Sequence, residues 1–389
     1  MSAEKRILFV THKANMSGAP LLLLDIIKEF KKQKNYSVQA LSMEDGELIE
    51  DFRKITTTFL WNTDKRPAVA SASQAINFLL SRPGNIFKNI FILLRLRKTD
   101  IVFFNTIVNG HIHKKLLSLK CKYVCYVHEL EGAIQMLTNK DTLDTVLNKT
   151  DLFLSVSNAV KQNLINKHKV AEKKINTIFS PIAIIKREKE NYSAFINKFR
   201  REHNIPQNSI IIGISAANEW RKGYELFLPL VTFYADSFPN SNVFFIWKGF
   251  RKNSMNGVLQ LQDFEKNSQQ SKVLLLPHGS DSIETMACFD IHLLLSREDP
   301  YPLVVLEAAS FSIPTVCFKN SGGAPEFVED DAGFCIDYGD LIQMADKIEQ
   351  LVSNKEQRDE MGLKAANKLV LRHNQQRSID QMINIVSQL

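Results

Sequence analysis

Long apolar runs are missing from this chain of 389 residues. No stretch approaches the ~20 residues that a membrane span needs, and Ile7-Leu8-Phe9-Val10 is too short for a signal-peptide core. A cytoplasmic chain is expected. Cysteine is scarce: Cys121, Cys125, Cys288, Cys317 and Cys335 are odd in number, lie mostly in apolar runs and form no C-x-x-C pair. Buried free thiols are therefore expected rather than a disulfide framework or a zinc site. No D-x-D occurs, so a carboxylate-bound metal on a diphosphate is not indicated. His111 and His113 form an H-x-H pair, but spacing supplies no third ligand. Low-complexity tracts and repeats of solenoid period are absent, and no nucleic-acid-binding motif accompanies the basic charge.

What is present is an ordinary globular composition, 44% hydrophobic and 23% charged, with length enough for two or three domains. Charge is unevenly shared. Residues 1–200 hold 32 Lys and Arg against 18 Asp and Glu, a net +14, whereas 201–389 hold 17 against 24, a net −7. A basic first half suits an anionic partner, either a membrane surface or a phosphate-bearing acceptor.

Apolar strand runs alternate with helical patterns along the whole chain, which predicts an α/β fold built on parallel sheets. The strand Ile7–Thr11 leads through Ser17-Gly18-Ala19-Pro20 into a helix. Ser17 can cap it, Gly18 lets backbone approach a ligand, and Pro20 needs no amide partner at a helix start. Residues 72–98 are strongly apolar and end in base, a pattern shared by core helices and by helices lying on a membrane surface. Strand Tyr123–Val127 ends at His128, which would open on a ligand crevice with a side chain able to accept or donate a proton. The apolar-to-charged segment Ser180–Glu190 reads as a linker. Beyond it, a helix over Tyr192–Arg201 and a strand over Ser209–Ser215 begin a second α/β domain. The turn Asn218–Gly223 sets Arg221 and Lys222 beside a glycine at a strand-to-helix junction, where a diphosphate fits. A last helix is expected from about Ser378.

The stretch from Leu293 to Val328 carries the densest chemistry. A strand to Leu295, the polar turn Ser296–Pro300 and a helix from about Pro302 place that turn at the carboxyl edge of a sheet, with helix-end amides aimed at any anion there. Asp299 and Glu307 lie eight residues apart, at most roughly 12 Å along a helix axis. Alone, Glu307 could equally solvate a surface helix. Asp299-x7-Glu307 followed by Gly322-Gly323-Ala324-Pro325-Glu326 resembles the E-x7-E and GG-x-PE signature of retaining family-4 glycosyltransferases, within glycosyl transferases group 1. Asp299 stands in place of the first Glu, and Pro-Tyr-Pro replaces Gly-Phe-Gly.

This resemblance implies a GT-B fold: two Rossmann-like domains, about 1–185 and 186–370, facing across a cleft, with 371–389 returning to the first. It implies that Glu307 hydrogen-bonds the ribose of a UDP- or GDP-linked sugar donor. Asp299 and the backbone of Tyr301, Pro302, Leu303 and Val304 would hold the transferred sugar. Lys222 would neutralise the leaving diphosphate, with Arg221 substituting for an arginine that Ala216 replaces. His278 would lie where the base packs, Gly18 near the donor phosphate or the acceptor, and His128 near the reacting sugar. The implied activity is retaining transfer to a glycan or lipid-linked acceptor in surface polysaccharide synthesis; the absence of D-x-D adds the expectation that it is metal-independent, and residues 72–98 with the basic first half that it works on or near the inner face of a membrane. A lapsed paralogue that only binds a nucleotide sugar or a partner, or a sugar-nucleotide epimerase, would share the architecture.

Overall fold

The computed structural model describes residues 4–16, 18–61, 87–180 and 185–389. Two compact units emerge: the first comprises Met1–Val156, Val160–Pro181 and Gln375–Leu389, the second Ser157–Ala159 and Ile182–Asn374. Ser17 and residues 62–86 fall outside the described residues, and with them the expected helix cap and most of the 72–98 pattern.

In the first unit, β1 (Lys5–Lys13), β2 (Tyr36–Glu44), β3 (Thr57–Leu60), β4 (Ile101–Phe104), β5 (Lys122–Val127), β6 (Leu152–Ser155) and β7 (Ile175–Thr177) form one sheet in the order β3-β2-β1-β4-β5-β6-β7. Every pairing is parallel. Parallel strands are covered on both faces, which is why Ile101–Phe104 and Leu152–Ser155 are buried at every position. The helix Gly18–Lys32 packs Leu22, Leu23, Ile26, Ile27 and Phe30 inward at helical spacing. The closing helix, Gln375–Ser387, buries Ile379, Met382, Ile383 and Val386. It belongs to the first unit, where Gln375 donates to Asp25 at 3.3 Å.

The second unit repeats the plan with β8 (Ile210–Ser215), β9 (Val243–Lys248), β10 (Val273–Leu276), β11 (Ile291–Leu294), β12 (Thr315–Phe318) and β13 (Gly333–Ile336), again parallel, in the order β10-β9-β8-β11-β12-β13. Its core centres on Trp247, Phe245, Phe227 and Tyr234 under the sheet. Helices are started by side-chain caps: Ser254 accepts from Gly257, Asp340 from Gln343 and Asn354 from Gln357.

Local boundaries shift for identifiable reasons. Lys189–Tyr192 coils as a 3-10 turn, so the helix expected from Tyr192 starts at Ser193. The helix Lys355–Arg372 packs on Leu303–Ser310 inside the second unit, which carries that unit to Asn374. The final helix accordingly begins at Gln375, three residues before the expected Ser378. Residues 87–95 are helical. Ile92 and Leu96 are buried, while Phe87, Ile90, Phe91 and Leu94 are exposed.

Candidate functional site

In a doubly wound sheet, ligands gather at the carboxyl edge where the strand order reverses. The second unit reverses between β8 and β11. The segments leaving those two strands are Ala216–Gly223 and Leu295–Pro302, and they meet. The peptide N–H of Arg297 donates to the Arg221 carbonyl at 2.8 Å. Gly223 lies against the end of β11 in a left-handed conformation, φ +70°, and a Cβ there would stand 2.1 Å from the Leu295 carbonyl oxygen. Only glycine satisfies both demands. The consequence is that Lys222, the residue before it, is aimed across the junction at Asp299.

Lys222 Nζ and the Asp299 carboxylate form an ion pair whose side chains are 13% and 8% exposed. The Asp299 backbone is stitched to the glycine turn after β12: its N–H donates to Ser321 at 2.7 Å, and Gly323 N–H donates to the Asp299 carbonyl at 3.0 Å. Asp299 and Gly322 make a parallel bridge. The two halves of the signature are thus one loop pair. Glu307, on the helix Leu303–Ser310, is raised above the ordinary carboxylate range by burial, against which the Arg187 charge acts. Among the described residues its carboxylate accepts no hydrogen bond. A half-buried acid that accepts from no protein donor is open to accept from a ligand.

Not every expected site residue arrives at this place. Arg221 turns to Glu219, 3.1 Å away, and is 43% exposed, so its side chain is committed to a surface pair. Tyr301 is buried, its hydroxyl 2.7 Å from His373 Nε2. Its ring packs against Gly323 of the glycine turn, where a Cβ would stand 2.5 Å from Tyr301 Cδ2. Pro302 caps the helix, whose first residues are Leu303 and Val304; their N–H groups are among the four that a helix start leaves without internal acceptors. His278 stands exposed beyond β10. Beside it lies a pair that sequence reading passed over: Lys248, the last residue of β9 and almost fully buried, donates to both oxygens of Asp281 at 2.7 and 2.8 Å. That hydrogen bond holds Asp281 below the ordinary carboxylate range. The signal was a cation closing the apolar run Val243–Trp247.

The first unit reverses between β1 and β4. A pocket of about 430 Å³ opens there, lined among others by Thr11, His12, Lys13, Asn105, His111 and Glu129. His128 follows β5, with Nε2 3.3 Å from Asn105 Oδ1, and Asn105 Nδ2 donates to the Ala19 carbonyl at 2.8 Å. Burial lowers the His128 pKa to about 4, so the imidazole is neutral near pH 7. Glu129, unassigned from sequence, accepts from the Thr106 hydroxyl and from His128 N–H at 3.0 Å, and burial raises it. Gly18 opens the helix Gly18–Lys32 and, among the described residues, has no atom within 4 Å of where a Cβ would sit, so their packing does not require glycine there. His113 belongs to the core, stacked on Phe104 at 4.5 Å, while His111 reaches the pocket.

Comparison with known proteins adds three findings. Residues 195–368 match the family described as glycosyl transferases group 1. N-acetyl-alpha-D-glucosaminyl L-malate synthase of Bacillus anthracis is 24% identical over 262 residues, 66% of this chain and 65% of that protein. Capsular polysaccharide biosynthesis glycosyltransferase CapM of Staphylococcus aureus is 22% identical over 55% of each chain. The matches to these relatives span less than two thirds of their lengths. The crystal structure of HepE from Anabaena in complex with UDP superposes with a TM-score of 0.76 at 19% identity, covering 99% of this chain and 100% of that one. The fold is therefore the two-domain α/β fold of such proteins, GT-B.

Proposed function

We propose that the chain, whose residues 195–368 match glycosyl transferases group 1, is a retaining glycosyltransferase that moves a sugar from a nucleotide-diphosphate donor to a glycan or lipid-linked acceptor in surface polysaccharide synthesis. The observation that carries this reading is the Lys222–Asp299 pair at the strand reversal of the second unit, with Glu307 half-buried on the helix that follows. A donor diphosphate takes the Lys222 charge, freeing Asp299 to accept from sugar hydroxyls, and Glu307 accepts from the ribose. Leu303 and Val304 amides add the positive end of a helix. UDP is the first nucleotide to test, because the HepE structures hold UDP and UDP-glucose.

In the proposed step, the anomeric carbon–phosphate oxygen bond breaks, the acceptor oxygen bonds to the same face of that carbon, and the leaving phosphate takes the acceptor proton. Lys222 and the helix-end amides stabilise the growing phosphate charge. No metal is needed. The first unit's pocket takes the acceptor, with neutral His128, Asn105 and Glu129 orienting its hydroxyls. Phe87, Ile90, Phe91 and Leu94, exposed beside Lys88, Arg95, Arg97 and Lys98, rest on an anionic membrane surface.

A second reading, a lapsed protein that binds the nucleotide without turnover, draws on one fact: Ala216 stands where the family has an arginine, and Arg221 is paired to Glu219. One experiment separates the two. The protein is screened with UDP-, GDP- and ADP-sugars, with chelator present, for thermal shift and slow nucleotide release. Shift with release supports transfer; shift without release, even with acceptor extracts, supports the lapsed reading. Dependence on added manganese would overturn metal independence. Vesicle flotation that leaves the protein unbound at low salt would remove the membrane surface.

A further inference from the structure

We propose that Cys317 and Cys335 are a redox-active dithiol, a modification site that closes to a disulfide on reaction with a peroxide. The two residues are direct partners in the β12–β13 register, and their Sγ atoms are 3.8 Å apart. Neighbouring strands lie about 4.8 Å apart, inside the roughly 4.4–6.8 Å Cα window of disulfides. Closing to an S–S bond of about 2.05 Å therefore asks for side-chain rotation and a small strand shift. β13 is the sheet's edge strand, paired on one side only, and edge strands yield most easily.

The two thiols are unequal in the way that such chemistry uses. Cys317 is fully buried, while Cys335 is partly exposed and touches the Glu329 carbonyl at 3.3 Å. The hydrogen bond with Cys317 and the charges of Lys319 and Lys368 lower the Cys335 thiol below its usual range, against burial and Asp330, and Cys317 is raised. Cys335 is the attacking sulfur and Cys317 the resolving one. In the first step the Cys335 thiolate attacks peroxide, the O–O bond breaks, and sulfenic acid and hydroxide form. Cys317 then displaces hydroxide from the sulfenic sulfur, giving the S–S bond and, with the Cys317 proton, water. β12 continues through Phe318 into Ser321, the acceptor for Asp299 N–H, so the bridge pulls on the strand that holds the ion-pair loop.

The test exposes the full chain to hydrogen peroxide, denatures it, alkylates free thiols and reads intact mass and peptides. Two of the five thiols should resist alkylation, with a 317–335 cross-linked peptide that dithiothreitol reverses. Cys317→Ala should trap a dimedone adduct at Cys335, and Cys335→Ala should form neither bridge nor adduct at Cys317. Five alkylated thiols after exposure, a bridge between other cysteines, or equal thiol loss in Cys335→Ala would overturn the proposal. None of these readouts requires nucleotide binding or turnover.

Discussion

The two units share a topology and differ in what stands at its reversal. In the second, a Lys–Asp ion pair bridges the ends of β8 and β11; in the first, the β1–β4 reversal opens a pocket lined by hydroxyl, amide and imidazole groups together with Lys13 and Glu129, and a neutral His128 stands against its Asn105. The fold fixes where a ligand goes, and the side chains decide which charge it carries. A site built around a buried cation suits a diphosphate, whereas a mixed set of hydroxyl, amide, imidazole and carboxyl groups suits sugar hydroxyls. Breaking each site should therefore have unequal consequences.

The largest effect is expected at the ion pair. Lys222→Ala leaves Asp299 buried without its counter-charge, a destabilisation of about 3 kcal/mol at the low end for a broken buried pair, read by urea unfolding. Turnover should fall about a hundredfold or more. Lys222→Met combined with Asp299→Leu should recover much of the stability and none of the turnover. Asn105→Ala in the first unit removes neutral hydrogen bonds and should cost only about 1 kcal/mol. Equal losses in the two units would erase the distinction.

Glu307 sharpens it from another side. Its folded pKa is raised by burial, so at neutral pH the native protein holds a charge it would rather lose. The contribution to stability is therefore fully present below the ordinary carboxylate pKa and declines as pH rises through the raised one. Glu307→Gln should stabilise the ligand-free chain near pH 7 yet weaken nucleotide binding by about 1.5–3 kcal/mol, the worth of a charged hydrogen bond. Wild-type affinity should also fall as pH drops through the raised pKa, and the variant should lack that limb. Calorimetry across pH reads all three, and unchanged nucleotide affinity in the variant removes Glu307 from the site.

Much of this was legible in the residues. Apolar runs marked the sheets, and the Asp299–Glu307 spacing with the double glycine marked the loop pair, because chain-local patterns report chain-local geometry. Pairings between distant segments were not legible. Nothing near Tyr301 announces His373, 72 residues on, and Lys248 meets Asp281 across 33 residues. Side-chain direction at such places depends on which strands become neighbours. Glu129 was hidden for the same reason: its partners Thr106 and Ile107 follow a different strand.

A smaller effect is expected at His128. Its folded pKa of about 4 lies below the unfolded value near 6.5, so its stabilising contribution is present above pH 6.5 and is lost as pH falls toward 4. Between pH 5 and 8 the imidazole stays neutral in the native state. His128→Gln should lower kcat by roughly a hundredfold without moving nucleotide affinity, and no rate limb between pH 5 and 8 should disappear with it.

The smallest effect distinguishes the units at a single Cβ. Gly223→Ala places a methyl 2.1 Å from the Leu295 carbonyl oxygen at φ +70°, and the chain must deform; a loss of about 1–3 kcal/mol is expected from strain of this kind. Gly18→Ala meets nothing within 4 Å among the described residues and exchanges a poor helix former for the best one at the start of a helix, so stability should hold or rise by a few tenths of a kcal/mol. If the Gly18 backbone nonetheless serves a ligand, the same methyl will raise the acceptor KM while the thermal midpoint stays put. A drop in midpoint for Gly18→Ala would mean that this glycine, like Gly223, is held by the fold, and the first unit's turn would lose its claim to be shaped for a ligand.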